Sequence, residues 1–452
     1  MTQTIDTDSS AGTPGLAPGE LAASVALETV VEIIDAAHAA DVAVVGLGYV
    51  GLPTALAFAC TGARVLGLDT SSRRRSAIAD ADVDLLPRDR ERLLGLRGDR
   101  RFTVVDHSGP LASAAAVLIC VPTPVDEHLS PDLGALRSAC HTVAQHAVPG
   151  QLIVLTSTSY VGTTRELLVD QLVERGLLPG RDVFVAFSPE RIDPANASFP
   201  VERTPRVVGG VTAECTRRAA ALLRRVSPYV HEVSSPETAE MTKLHENTFR
   251  AVNIAYANEI ADVCATLGLD VGEVVAAAAT KPYGFMTFRP GPGVGGHCIP
   301  CDPHYLLWQL RADRVQAPVV DAAMRAIAGR PGQVADRARE MLGQHGRPVS
   351  GARVLVVGMS YKPGVADVRE SPAIEIAERL VRAGAQVSYL DPFVCGVVVG
   401  GEHLPRVLEP GAASWDLVLV HTVHPGTDLE WLERASLVLD ASYTLGQDRA
   451  AS

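Results

Sequence analysis

Residues 42–51 read Val-Ala-Val-Val-Gly-Leu-Gly-Tyr-Val-Gly, four apolar residues running straight into a Gly-x-Gly-x-x-Gly turn. The apolar run suits a buried strand, and Leu52–Cys60 after it suits a helix. In that context the three glycines play different roles. Gly46 permits the tight turn, Gly48 leaves room for a pyrophosphate, and Gly51 lets the helix pack on the strand. Phosphates would rest on the helix N-terminus, where free N–H groups and the dipole favour anions, with Tyr49 and Val50 in the same turn. The spacing alone also fits a turn that holds no ligand, so the flanking strand and helix carry the dinucleotide reading. A second apolar run, Arg64–Leu68, ends at Asp69, where such folds place an acid for the adenosine ribose. A carboxylate there accepts from the ribose hydroxyls and repels a 2′-phosphate, which favours NAD over NADP. Arg73 and Arg74 stand nearby and could serve a 2′-phosphate, so the preference rests on Asp69.

Outward from this unit, apolar runs alternate with helical stretches. Further strand candidates are Phe102–Val105, Val117–Val121, Leu152–Leu155, Phe184–Phe187 and a piece near Tyr229–Val233. The alternation predicts a doubly wound α/β domain with a parallel sheet. From Ser235 to about Gly268 one long helical pattern replaces it, opened by a capping Ser235, Pro236 at the first position and an early Glu237. Strand–helix alternation resumes at Arg353–Val357, Val387–Leu390, Leu417–Val420 and Leu437–Leu439. The expected fold class is therefore α/β, two Rossmann-like doubly wound domains joined by a central all-helical region, with the ligand cleft between them. Expected boundaries are a disordered tail and leading helix over 1–40, the dinucleotide domain over 41–234, the helical region over 235–345 and the last domain over 346–452.

Bulk properties narrow the classes. A chain of 452 residues with net charge −12 disfavours nucleic acid and anionic membrane surfaces as partners. No apolar run approaches the roughly 20 residues of a membrane span. The first residues, MTQTIDTDSSAGTPG, do not read as a signal peptide, and eight scattered cysteines show no disulfide framework. The expected compartment is the cytoplasm.

Three further constellations carry chemistry. Pro290–Pro303 reads PGPGVGGHCIPCDP, where dense glycine permits close backbone approach and polar surroundings suit Cys298 as an exposed nucleophile. His297, Cys298, Cys301 and His304 could alternatively be metal ligands, the Cys298/Cys301 spacing suiting half of a zinc site, but no second Cys-x-x-Cys follows, and no metal is expected. In the long helix Glu240, Lys243 and Asn247 share one face. That face is either a solvated Glu/Lys pair or, beside a nucleophilic cysteine, a device for holding alkoxide charge. Gly358–Pro363 follows a strand, and Ser371-Pro372 then opens a helix with Ser371 as its cap, so Lys362 and Arg369 fall near the ligand-binding edge of the second sheet.

With these residues the chain resembles the nucleotide-sugar 6-dehydrogenase family, which includes UDP-glucose, GDP-mannose and UDP-N-acetylhexosamine dehydrogenases. The resemblance runs in order through Gly46–Pro53, Val121–Pro124, Ser157–Thr158, Ser188–Ile192, Ala239–Asn247, Pro290–Pro303 and Gly358–Pro372. It implies an NAD-binding domain, a helical middle that builds a homodimer or higher oligomer, and a last domain that grips the nucleotide of a UDP-sugar. It implies Cys298 as nucleophile, with Lys243, Asn247 and Asp302 around the reacting carbon. Glu190 and Thr158 would assist proton transfer and water placement. Arg74, Thr123, Thr158 and Arg369 would touch the cofactor. Glu190, Arg191, Ile192, Lys243, Asn247, Arg289, Gly293, Gly295, Tyr361 and Lys362 would line the sugar-nucleotide site. The cysteine loop and Ser-Pro-Glu-Arg-Ile look most like the UDP-N-acetylglucosamine and UDP-N-acetylmannosamine branch. UDP-glucose or GDP-mannose oxidation, a single-step hydroxy-acid dehydrogenase and a catalytically idle NAD-binding homologue are the rivals. Two departures stand out: Cys301 replaces an aliphatic residue, as packing or as a resolving thiol, and Val161 stands where the branch often has proline.

Overall fold

The computed structural model describes residues 39–191, 203–296 and 299–445. The expected tail and leading helix, together with Ile192, His297 and Cys298, lie outside the described residues. The first sheet comprises β1 (Ala40–Val45), β2 (Val65–Leu68), β3 (Phe102–Val105), β4 (Ala114–Ile119), β5 (Leu152–Leu155), β6 (Phe184–Phe187), β7 (Arg206–Gly210) and β8 (Val230–Val233). Its order is β3-β2-β1-β4-β5-β6-β7-β8, parallel except where β7 runs antiparallel to β6. The central strands are buried on both faces, as a sheet covered by helices on each side requires. Helix α1 (Gly51–Cys60) follows β1 directly.

Helix α2 (Pro236–Leu267) is the spine of the middle region. Ser235 accepts from the Thr238 N–H, Pro236 takes the first turn, and Gly268 closes the helix in the left-handed region at φ 69°. That start and stop agree with the sequence reading. α3 (Asp302–Ala312) and α4 (Pro318–Gln344) complete the middle and pack on α2. The second sheet is built from β9 (Arg353–Val357), β10 (Gln386–Leu390), β13 (Leu417–Val420) and β14 (Val438–Asp440), all parallel in the order β10-β9-β13-β14. A small hairpin of β11 (Val398–Val399) and β12 (Glu402–His403) lies beside it, and α5 (Pro372–Arg382) covers one face.

Three readings need correction. β7 has no counterpart among the sequence candidates. β4 begins earlier than the apolar run at Val117 suggests, because its three alanines form strand. Ser371 occupies the cap position of α5 but makes no side-chain cap bond, and its buried hydroxyl has no partner among the described residues. The second sheet depends on Gly358, at φ +85°, where an added Cβ would lie 2.0 Å from the Thr422 carbonyl oxygen. Gly358→Ala should therefore destabilise the protein by more than about 1 kcal/mol, read as a lowered melting temperature; an unchanged melt would mean the turn can open without loss.

Candidate active site

At the dinucleotide turn the glycines divide their work as their surroundings require. Gly46 (φ +87°) donates to the Leu68 carbonyl at 2.8 Å, and a Cβ on Gly51 would stand 1.8 Å from the Gly46 oxygen. A Cβ on Gly48 would meet no protein atom within 4 Å. The first turn of α1 has no side-chain cap and no acidic residue, so the positive end of the helix stays open to an anion. Asp69 accepts from Leu47 N and Ser71 N, each at 2.9 Å, and remains half-exposed. Arg74 donates through Nε to the Leu47 carbonyl at 2.8 Å, beside an open cleft of about 470 Å³ lined in part by Ser71, Arg73 and Asp84. These residues fit NAD: an open glycine, an uncapped helix N-terminus without an acid, and a half-exposed carboxylate after the second strand.

The loop after β5 carries Thr158 and is fixed from outside its own domain. Glu240 of α2, 1% exposed, accepts from Gly162 N (2.6 Å), Thr164 N (2.9 Å) and the Thr164 hydroxyl (2.6 Å). Burial raises its pKa, and these donors act against that rise. Glu240 thus serves this loop, whereas the sequence allowed a surface pair with Lys243. Gln309 of α3 grips Val161 on both sides, accepting from its N–H at 3.0 Å and donating to its carbonyl at 2.7 Å. A proline at 161 could not supply that N–H. This gives the departure at Val161 a physical account. Tyr305 of α3 reaches the Pro124 carbonyl at 3.4 Å and interacts with the Thr123 side chain, tying the other cofactor-side loop to the same helix.

Three of the predicted reacting-centre residues meet. Lys243, 7% exposed, donates to the Glu190 carbonyl at 2.8 Å, and Asn247 Nδ2 donates to Asp302 Oδ2. Asp302 opens α3 and is 4% exposed; burial pushes its pKa up to about 6, against the pull of Lys243 and Asn247. The Glu190 carboxylate is paired at 2.9 Å with Arg206 of β7, a residue the sequence reading missed. Arg191 bonds Glu246 of α2 at 2.5 Å and the Pro205 carbonyl at 2.7 Å, so it acts here as a brace. Buried Cys120 lies within reach of the Glu190 charge; burial first, then that charge, pushes its thiol up to about 12.

The cysteine loop runs against the second α/β unit. A Cβ on Gly293 would lie 2.8 Å from Pro372, and one on Gly295 would lie 2.5 Å from Tyr361 Cβ. Gly296 N donates to the Arg369 carbonyl at 3.2 Å. The Arg369 guanidinium is held by Asp367 at 2.5 Å and stands 5.7 Å from the centre of the Tyr49 ring in the dinucleotide turn. Tyr361 and Lys362 are half-buried at this junction, and Arg289 is exposed. Cys301 is buried just before α3. Dinucleotide turn, cysteine loop and second-sheet loop therefore converge on one cleft.

Three family models match the chain in this order: the UDP-glucose/GDP-mannose dehydrogenase family NAD binding domain over residues 40–227, its central domain over 237–326 and its UDP binding domain over 355–445. The chain belongs to the UDP-glucose/GDP-mannose dehydrogenase family. It is an NAD-dependent nucleotide-sugar dehydrogenase, and NAD is its cofactor. A UDP-N-acetyl-D-mannosamine dehydrogenase of Escherichia coli K12 is 34% identical over 354 residues, 76% of this chain and 83% of that protein. A UDP-N-acetyl-D-glucosamine 6-dehydrogenase of Pseudomonas aeruginosa is 32% identical over 419 residues, 90% of this chain and 98% of that protein. The solved structure of a UDP-D-ManNAc dehydrogenase from Pyrococcus horikoshii superposes with a TM-score of 0.82 at 32% identity, covering 90% of this chain and 96% of that one. Among the described residues no helix is long and apolar enough to cross a membrane.

Asp302 is charged above a pH of about 6 and neutral below it. If its carboxylate takes the substrate proton, kcat/KM falls as pH drops through that value. Asp302→Asn should erase this acid limb and lower kcat by about 10²–10⁴-fold; an unchanged limb in the variant would assign it to another group. Asp69→Ala should raise the KM for NAD and narrow the gap to NADP, which parallel titrations of the two cofactors measure.

Proposed function

We propose that the chain oxidises C6 of a UDP-N-acetylhexosamine, the GlcNAc or ManNAc epimer, to the uronate in two hydride steps through a covalent Cys298 adduct. The observation that carries this reading is the buried Lys243–Asn247–Asp302 cluster at the end of the cysteine loop. The Gly46–Gly51 turn would hold NAD, which would supply the hydride acceptor, one molecule for each of the two oxidations.

This chain's residues do the rest. Lys243 and Asn247 hold the alcohol oxygen as charge builds on it, and Asp302 takes its proton. The Cys298 thiolate adds to the aldehyde carbon, giving a thiohemiacetal that keeps a reactive aldehyde in the site. That carbon still bears a hydrogen, so the second oxidation leaves a thioester, and water attacks it to release the carboxylate and regenerate the thiol. Per sugar the balance is one CH2OH, one water and two NAD+ in, and one carboxylate, two NADH and three protons out. Glu190 and Thr158 place the water, with the Glu190 carboxylate held at 2.9 Å by Arg206. Tyr361, Lys362, Arg289, Gly293 and Gly295 take the sugar nucleotide, and Arg369 lies against the cofactor.

The named relatives support the hexosamine over UDP-glucose or GDP-mannose. An exposed stripe of Phe249, Tyr256, Val263 and Leu267 along α2 supports a homodimer with this helix at its interface. The seven described cysteines are all free, which supports a reducing cytoplasm.

The ratio of NADH to sugar separates this reading from its rivals: two for the proposed reaction, one for a single-step dehydrogenase, none for an idle homologue. A panel of UDP-GlcNAc, UDP-ManNAc, UDP-glucose and GDP-mannose names the substrate. Cys298→Ala should abolish carboxylate formation and leave the NAD dissociation constant nearly unchanged, by product analysis and cofactor titration. Uronate made by the Ala variant at the parent rate would end the covalent mechanism.

A further inference from the structure

The cysteine loop leaves the middle region at Gly291, and that residue is gripped on both sides. Its N–H donates to Asn258 Oδ1 of α2 at 2.8 Å, and its carbonyl accepts from Arg330 Nε of α4 at 3.1 Å. Arg330 is 1% exposed, the largest side chain among the fully buried residues described. Its Nη1 donates to both oxygens of Asp262 in α2 at 2.8 Å, and its Nη2 donates to the Tyr443 hydroxyl at 2.9 Å. Tyr443 lies past β14 in the second α/β unit, its backbone in the left-handed region at φ 56°. Its hydroxyl also accepts from Arg337 of α4 at 2.9 Å, and it packs against Ala261, Cys264 and Val271.

A buried guanidinium keeps its charge, so it needs a partner, and Asp262 supplies one. Charge alone does not account for the other two contacts. Gly291 and Tyr443 belong to different parts of the molecule, and a planar fork of donors fixes both relative to α2 as an ammonium could not. Two residues on, α4 passes so close to α5 that a Cβ on Gly332 would sit 3.2 Å from the Arg379 guanidinium carbon. The Arg330 turn of α4 therefore lies where the middle region, the cysteine loop and the second unit meet.

We propose that Arg330 is a positioning residue for the oxidation: it sets the root of the cysteine loop against Lys243, Asn247 and Asp302 and, through Tyr443, ties that setting to the nucleotide-holding unit. The inference rests on Cys298 being the nucleophile. The loop is anchored at Gly291 before the cysteine and at Asp302 after it. Slack at the first anchor lowers the effective concentration of the thiol at the sugar carbon.

Kinetics of Arg330→Ala and Tyr443→Phe, with both substrates varied, test this. Arg330→Ala should lose at least about tenfold in kcat with the NAD KM held within about twofold. Free guanidinium at low millimolar concentration should restore part of the loss, and the rate of Cys298 alkylation by iodoacetamide, mapped by mass, should change with it. Tyr443→Phe keeps the ring and removes only the acceptor; it should raise the sugar-nucleotide KM several-fold and leave the NAD KM alone. A folded Arg330→Ala enzyme with parental kcat overturns the proposal, as does a loss that guanidinium does not mend. Should Arg330→Ala fail to fold, Tyr443→Phe decides, and parental constants there overturn it. Failure of the covalent reading shows separately, as uronate formation by Cys298→Ala, since guanidinium rescue is read on turnover and not on the thiol.

Discussion

A carboxylate buried at the first turn of α3 is the constraint on which the catalytic geometry hangs. Moving an unpaired charge out of water costs far more than a folded domain can spare, so Asp302 needs partners or must lose its charge. It does some of each. Asn247 donates to it, Lys243 lies close enough to favour its charged form, and burial still carries its pKa to about 6. Both partners stand on α2, one helical turn apart, so satisfying Asp302 fixes α3 against α2. The glycine-rich loop ends where α3 begins, and its last residues are therefore delivered to Lys243 by the same demand. Placement of the loop and the raised pKa of the carboxylate follow from a single burial event.

The two α/β units use one device twice and put it to different ends. In the first, Gly46 donates to the Leu68 carbonyl, and the acid after that strand, Asp69, accepts from Leu47 N and Ser71 N. In the second, Gly358 donates to the Leu390 carbonyl, and Asp391 accepts from Met359 N at 2.7 Å and Phe393 N at 2.8 Å. Surroundings separate them. Asp391 is 1% exposed and bonded by His424 Nε2 at 3.1 Å. Burial tends to raise its pKa, but the His424 and backbone donors outweigh that and hold it near 2. Its oxygens are spent inside the protein, where they lock the Met359–Gly364 loop with help from His424, which accepts from Gly364 N at 3.1 Å. Asp69 keeps an exposed edge. One acid still faces solvent beside the glycine turn; the other holds the loop that carries Tyr361 and Lys362.

What the sequence made legible was whatever depends on local pattern. The apolar runs, the glycine turn, the Ser235-Pro236 start and the Gly268 stop all act over a few residues, and the structure follows them. β7 escaped because its sequence, Arg-Val-Val-Gly-Gly, has little strand propensity. Its glycines answer a demand from elsewhere: a Cβ on Gly209 would lie 2.0 Å from the Ser235 oxygen, and one on Gly210 would lie 2.3 Å from Thr216 N. Arg206 was lost with that strand, and with it the ion-pair partner of Glu190. The Asp391–His424 pair was invisible for the same reason, since residues 33 apart meet only when two strand ends come together.

The cleft is also built so that its cofactor side and its chemical side cannot move independently. Glu240 and Gln309 reach from α2 and α3 into the Val161–Thr164 loop of the first unit, and Tyr305 reaches the loop holding Thr123. These helices also present Lys243, Asn247 and Asp302. A hydride transfer tolerates little error in the distance between donor and acceptor carbons, and error is smallest when both sides are referred to one rigid element. Here that element is the α2–α3 pair. The second unit is attached differently: Val334, Ala335, Ala338 and Leu342 of α4 pack into its core, glycines of the cysteine loop lie against Tyr361 and Pro372, and Arg330 bonds Tyr443. One helix of the middle region thus serves as a wall of the second unit's core, so the cysteine loop and the second sheet are referred to the same element.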